Sequence, residues 1–500
     1  MPQHTIVNSP VTERSGAAAE ELHPSRRLTG RIGLFELLCT VLAYSAPVAV
    51  VSGFIPFVIY FDGSGAPAVF LIATLILLPF TVGFTTMAKY VPNPGAFYAF
   101  ITSGLGRTVG LGAAFLAMFG YMLLGFTTLP FNAVNSNMLI TGTFGGREIA
   151  WYWYGLLFWL LSTILSYFRI DLSAKVLTVA MTLEVVIVAV YDVAVGFNGG
   201  PEGLSLAPFS FLNIGSGSLG IAILFAITCF LGFEATAVFR DEVRNPDKTV
   251  PLAAYSAVLL IGGFYAISAW ALVIGFGVHG VGAAANKDAA GMFATSMSQY
   301  VGKVGVDCAR VLVVTSIFAS TISTQSVVSR YVFKLGADGV LPRFLGAVHP
   351  KHKSPYVASF TVSLVWLVLG VIFTLAKTDP TMLYARVAGV GAFVVLVLMA
   401  MTSIAVVVFF GRAKHIRNVS VLRTVILPIL SAVSLTAVLI LAIKNFDTLI
   451  GGSPQEAIEL EILTGAIFVV GVCTALYYRA RKPRVYRMIG AGEAPEHQVL

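Results

Sequence analysis

The sequence predicts an all-α polytopic membrane protein of about twelve transmembrane helices. Three observations carry that prediction. Hydrophobic residues make up 57% of the 500-residue chain and charged residues only 11%, whereas a soluble surface needs about 25% charged residues. Mean hydropathy is +0.86. Apolar stretches long enough to cross a bilayer recur at about 34–61, 67–88, 109–138, 149–168, 173–196, 218–239, 251–275, 305–335, 356–376, 382–410, 423–443 and 460–478. The 48 glycines suit helices that pack closely in lipid.

Ahead of the first span, residues 1–31 are polar, rich in Pro, Ser and Ala, and expected to be disordered. No short apolar core with a cleavage site precedes Gly33, so no removable signal peptide is expected. Residues 32–480 form the transmembrane domain, and 481–500 a C-terminal tail. Lys and Arg set the orientation. Alternate connections hold most of them, among them Arg26, Arg27, Arg169, Lys175, Arg244, Lys351, Arg417 and Arg481. The opposite connections hold only Arg147, Lys287, Lys303, Lys377 and Lys444. The positive-inside rule then places both termini in the cytoplasm and the chain in the cell membrane.

Two spans are interrupted. In the first, Ala43-Tyr44-Ser45-Ala46-Pro47 is followed by Ser52-Gly53 and Pro56, and interior prolines remove helix hydrogen bonds. In the sixth, Gly232 weakens the helix, Glu234 puts a carboxyl group at membrane depth, and Asn245-Pro246 ends the segment. Spans 1 and 6 are equivalent positions if spans 1–5 and 6–10 are repeats of opposite orientation. Paired Gly/Pro-broken spans are the best sequence pointer to a transporter's binding site, the other reading being a pair of ordinary kinks.

The residues around span 6 also resemble a known family. Phe230-Leu231-Gly232-Phe233-Glu234, then Glu242, Asn245-Pro246 and Pro251, are similar to the signature of the amino acid–polyamine–organocation permease superfamily. The run from Ser329 to Pro342, with His349-Pro350 and Ser354-Pro355, is a second match, and Pro92-Asn93-Pro94-Gly95-Ala96-Phe97-Tyr98 a weaker third. The resemblance covers about residues 30 to 480. It implies a core of five plus five inverted-repeat helices with broken helices 1 and 6, two further helices, and substrate held between the breaks, flanked by spans 3, 8 and 10. Span 1 departs from the Gly-Ser-Gly run of many amino-acid permeases of this family. Pro47 has no N–H to give a carboxylate, and Val48, Val50 and Val51 hinder close approach. The Ala43-Tyr44 to Pro47 arrangement looks closer to the family's putrescine importers, whose substrate has no carboxylate.

The candidate substrate-binding residues are therefore Tyr44, Ser45, Ala46 and Ala49 on span 1, with Phe230, Gly232, Phe233 and Glu234 on span 6. Glu234 can neutralise a substrate ammonium, link gating to substrate, or pair within the bundle. Phe230 and Phe233 can close over substrate or simply pack. Glu184, near the middle of span 5, can carry a proton or pair with a neighbour. Ser320, Ser323 and Thr324 on span 8 can line a cation site or let helices approach closely. Tyr121, Phe126 and Asn132 on span 3 are further candidates whose helix rotation the sequence leaves open. Arg310 and Arg386 sit about one turn from the ends of their spans, where they can snorkel. Glu36 and Asp192 lie nearer span ends than the two glutamates.

Other function classes fall away. The formal charge of +8 comes without a basic helix or zinc-ligand spacing, so nucleic acid is not an expected partner. Cys39, Cys229, Cys308 and Cys473 show no C-x-x-C pairing and read as apolar residues, and no metal or cofactor is expected. Without a Walker loop or a catalytic triad, the chain is not expected to be an enzyme. The expected function is secondary active transport of amino acids or small amines by alternating access. Proton-coupled import is the favoured form, with sodium drive or exchange of one substrate for another as alternatives. A channel or a membrane sensor is the remaining alternative.

Overall fold

The computed structural model describes residues 33–490 apart from 92–95, 169–173, 211–212, 216, 235, 237–242, 350–353 and 413–418. The expected N-terminal tail, the Pro92 to Gly95 run and Glu242 lie outside the described residues.

The first expected span is three helices laid end to end, α1 (Leu34–Ser45), α2 (Pro47–Gly53) and α3 (Ile55–Asp62). Ala46 separates the first two in a left-handed conformation, φ 49° and ψ 67°. Pro47 then opens α2, where a missing N–H costs no helix bond. A 3-10 turn at Gly63–Gly65 leads into α4 (Ala66–Ala88), and the short helix α5 (Ala96–Leu105), which the hydropathy pattern does not predict, leads into α6 (Arg107–Gly142). Next come α7 (Trp151–Phe168), α8 (Ala174–Asn198) and α9 (Leu219–Thr228). After α9, residues 229–234 form consecutive turns, with Gly232 at φ 114°. A φ that positive is open to glycine without a Cβ penalty.

The second half begins with α10 (Pro246–Phe276), two short connecting helices α11 (Val281–Asp288) and α12 (Met292–Tyr300), and α13 (Lys303–Ala337). It continues with α14 (Tyr356–Leu375), α15 (Pro380–Arg412), a π-helical turn at Leu422–Ile426, α16 (Leu427–Lys444) and α17 (Phe446–Ile450). The chain ends its described part with α18 (Pro454–Arg481), opened by a Ser453–Glu456 capping box, and α19 (Pro483–Met488).

Nine described segments are long and apolar enough to cross a membrane. One of them, Pro47–Ala88, holds the later part of the first expected span and the whole of the second. Of the expected spans outside these nine, 149–168 is present as α7 and 218–239 begins as the ten-residue α9. The span pattern is thus recovered, with span 6 interrupted. This is a polytopic helical membrane protein.

Helix α6 is the scaffold: it packs against α7, α13, α15 and α18. Small residues set the spacing between α6 and α15. A Cβ on Gly120 would lie 2.5 Å from Val394 Cγ1, and one on Gly391 would lie 2.7 Å from Leu124 Cγ. Close backbone approach of this kind is how helices gain packing energy in lipid, where apolar burial drives little. Helix α3 packs against α9, bringing the two interrupted spans together.

The left-handed Ala46 gives a direct test. Ala46→Gly should keep or slightly raise the melting temperature of the purified protein, because the αL penalty of roughly 1 kcal/mol disappears while unfolded-chain entropy grows. Ala46→Val should lower stability by roughly 1–3 kcal/mol. Equal melting temperatures for the two variants would contradict the assigned conformation.

Candidate functional site

At the span 1 break, Glu184 of α8 reaches across to two other helices. The Val48 N–H donates to its Oε2 at 3.3 Å, and the Ser316 hydroxyl of α13 donates to the same oxygen at 2.9 Å. Val48 is the second residue of α2, where an intrahelical acceptor is lacking, so a carboxylate there satisfies an otherwise orphaned donor. On the other side of the break, the Ser45 hydroxyl bonds the Tyr265 hydroxyl of α10 at 2.8 Å. Three helices outside span 1 therefore hold its interruption in place.

At the span 6 break, Glu234 turns back on its own loop. Its Oε2 accepts the Gly232 N–H at 2.8 Å, and its Oε1 accepts the Tyr121 hydroxyl of α6 at 3.1 Å. Tyr121 in turn stacks on Tyr331 of α13, ring centres 6.0 Å apart. Phe233 packs edge-on to Phe80 at 5.9 Å and Phe84 at 6.3 Å. Phe230 is fully buried.

Between the breaks lies a cavity of about 120 Å³, lined by span 1 (Ser45, Ala46, Ala49, Val50, Phe54), α6 (Tyr121, Leu124, Thr127, Thr128, Phe131), Thr228, Cys229 and Leu231 at the span 6 break, α13 (Ile317, Ser320, Thr324) and Tyr384 of α15. Of the sequence candidates, Ser45, Ala46, Ala49, Ser320, Thr324 and Tyr121 reach the cavity. Phe230, Gly232, Phe233, Glu234, Glu184 and Ser323 are not among its lining residues. The side chain of Tyr44 lies outside the described residues. Phe126 packs against Phe373 at 5.9 Å and faces an apolar groove with Trp366, away from the cavity. Asn132 is fully buried, with no hydrogen-bond partner for its amide among the described residues. Arg310 pairs with Asp307 at 3.6 Å and Arg386 donates to the Gly451 carbonyl at 2.6 Å, consistent with roles outside the cavity.

Sequence reasoning missed Phe54, Phe131 and Tyr384. Phe131 and Tyr384 stack with centres 4.3 Å apart, Phe54 lies 5.9 Å from Tyr384, and the Tyr384 hydroxyl donates to the Gly53 carbonyl at 3.3 Å. These residues come from three separate spans, and no local motif marks them. Thr228, Cys229 and Leu231, by contrast, adjoin the Gly232 break and were legible from it.

The chemistry of the cavity follows from this lining. No Asp, Glu, Lys, Arg or His is among its described lining residues. The hydroxyls of Thr127, Thr128, Thr228 and Thr324 donate to carbonyls of their own helices at 2.7–2.9 Å. Their protons are committed, and Thr128 also accepts from the Thr321 hydroxyl at 2.8 Å, so it is Thr127, Thr228 and Thr324 whose oxygens present lone pairs, which suit an ammonium group. The remaining wall is aliphatic and aromatic.

A helical membrane bundle with two interrupted spans beside a cavity has the architecture of a small-molecule carrier. The chain belongs to the amino acid permease family, whose match runs over residues 37–487. It is 22% identical over 352 residues to the branched-chain amino acid permease BcaP of Bacillus subtilis, covering 67% of this chain and 72% of the relative. A branched-chain amino acid permease BcaP of Lactococcus lactis is 25% identical, covering 63% of this chain and 70% of that protein. An uncharacterized transporter of Mycobacterium tuberculosis is 24% identical over 478 residues, 87% of this chain and 91% of that one.

The Glu234 contacts predict a coupled pair. Tyr121→Phe and Glu234→Gln should each lower thermal stability by roughly 1–3 kcal/mol. The double variant should fall short of their sum by about 0.5 kcal/mol or more. Strict additivity in a double-mutant cycle would mean that the Tyr121–Glu234 bond contributes nothing.

Proposed function

We propose that this protein carries neutral amino acids with apolar side chains across the cytoplasmic membrane by alternating access, binding them between the breaks of spans 1 and 6. The observation that carries the reading is the uncharged cavity. Its hydroxyl oxygens can receive the ammonium group, and Val50, Phe54, Phe131, Leu231, Ile317 and Tyr384 offer an apolar wall for a side chain. A second cation, as in a diamine or a basic amino acid, would enter this site with no carboxylate to meet it, at a cost of several kcal/mol. Both nearby glutamates are occupied by donors of the protein itself. The relatives named as branched-chain amino acid permeases support the same substrate class. Pro47 has no N–H and that of Val48 is engaged by Glu184, so the substrate carboxylate would be met by other main-chain N–H groups at the breaks, and the contrast between amino acid and amine is the one to measure.

For energy coupling the reading assigns the proton to Glu184, which ties α2 to α13 beside the cavity. Ser320 and Thr324 lie on the cavity wall, where they would serve substrate more readily than a separate sodium site. The direction is import, and both termini face the cytoplasm, as the distribution of Lys and Arg favours.

Two measurements test this. In proteoliposomes loaded for counterflow, leucine, isoleucine and valine should compete at least about tenfold better than ornithine or putrescine, a difference of roughly 1.4 kcal/mol. Tighter binding of putrescine than of leucine would reverse the substrate assignment. In sodium-free buffer, an imposed inward proton gradient should drive accumulation in the wild type. Glu184→Gln should abolish accumulation while exchange survives. Strict sodium dependence, or unchanged accumulation in Glu184→Gln, would defeat the proton assignment.

A further inference from the structure

The chain after its last span does not trail away from the bundle. Helix α19 folds back so that Ile489, only 1% exposed, sits among Tyr98, Leu111, Ala114, Leu335, Val340 and Ala475. These residues belong to α5, the first turns of α6, the end of α13 with its following turn, and the end of α18. Two polar contacts fix the segment, and a third fixes the end of α18 just before it. The Gly490 N–H donates to the Tyr98 hydroxyl, Tyr486 and Thr108 hydroxyls lie 3.0 Å apart, and the Tyr478 hydroxyl donates to the Val340 carbonyl at 2.9 Å. The seat is shaped for glycine at its end. Gly490 has φ +68°, and a Cβ there would stand 2.3 Å from Thr102 Cγ2.

The same residues lead to the span 6 break by two routes. Phe97, next to Tyr98, packs on Phe80 and Phe84, and both of those rings contact Phe233. On the other side, Tyr331 packs against the cluster that holds Ile489 and stacks on Tyr121, which bonds Glu234. The docked segment bridges α5, the start of α6 and the end of α13.

We propose that residues 483–490 are a strap that holds this face of the carrier closed, and that its release from the Tyr98–Leu335 seat permits opening of the cavity to the side bearing the C-terminus. A buried isoleucine, a main-chain bond and a glycine-only turn make the strap specific. They involve few residues, so it can detach without unfolding the bundle. The inference rests on the carrier reading but not on the identity of the substrate.

Cys229 supplies the readout, because it lines the cavity and is 3% exposed. In a background with Cys39, Cys308 and Cys473 replaced by serine, a membrane-impermeant maleimide is applied from the face that carries the C-terminus. Ile489→Ser and Gly490→Val should each raise the rate of Cys229 labelling by about tenfold, the effect of weakening the docked state by roughly 1.4 kcal/mol. An unchanged rate in both variants would overturn the proposal. A second experiment leaves Ile489 and Gly490 in place. Thr108→Cys and Tyr486→Cys, introduced together and bridged by a bifunctional maleimide, should lose substrate flux, whereas a monofunctional maleimide on the same pair should leave it. Full flux through the bridged protein would overturn the strap even if the seat variants proved too unstable to label. Labelling needs no substrate, so its failure is distinct from failure of the amino acid assignment.

Discussion

A helix interrupted inside a bilayer leaves main-chain N–H and C=O groups that lipid cannot satisfy, and this structure is arranged around meeting that need twice. At span 1 the donor is supplied with an acceptor from far away in sequence: Glu184 lies 136 residues beyond Val48 and brings Ser316 with it. At span 6 the solution is local, since Glu234 accepts the N–H of Gly232 two residues earlier and adds only Tyr121 from outside. Both breaks use a carboxyl group, which can accept several hydrogen bonds at once. Of the helices that supply these partners, α6 and α13 also line the cavity between the breaks.

How much of this was legible depended on whether the cause was local. Pro47 and Gly232 are local causes, and both breaks fall where these residues stand. Glu184 and Glu234 were conspicuous because carboxyl groups are costly at membrane depth, but their partners were not, because partner choice is set by packing across the bundle. Helix rotation was the other missing quantity. A span that is apolar on every side carries no periodic signal to say which face meets the cavity. That is why Phe131 and Tyr384 went unseen and why Phe233, which looked like a lid, proves to pack against Phe80 and Phe84. The short helices α5 and α19 escaped notice because neither is long enough to register as a span, although both shape one face of the molecule.

Under the proposed reading, substrate recognition in this cavity divides between hydrogen-bond acceptors and an apolar wall. With the threonine protons given to helix carbonyls, the site offers acceptors in fixed positions before anything binds. Orientation of an ammonium group then costs little reorganisation, and the apolar wall contributes through area removed from water, about 25 cal/mol per Å². Selectivity among apolar side chains in such a site is modest, because one methylene in a hydrophobic pocket is worth only about 1–3 kcal/mol. Rejection of charged side chains is stronger, because a charge placed against Phe131 or Ile317 would lose its water and find no counter-ion.

The difference between the two carboxyl groups bears on coupling. Glu234 closes a bond within one loop and to one tyrosine, so changing its charge disturbs a single junction. Glu184 gathers donors from α2 and α13 onto one oxygen. An ionised carboxyl group accepts both bonds, whereas a protonated one has a hydrogen to donate and holds each donor less strongly. Its charge state therefore changes how firmly span 1 is bound to span 8, at the point where Ser45, Ala46 and Ala49 line the cavity. Under the proposed reading, a proton arriving at Glu184 acts through this tie and needs no contact with the substrate itself. The ion and the amino acid can then bias the same movement from adjoining sites, which is what reciprocal coupling between two ligands requires.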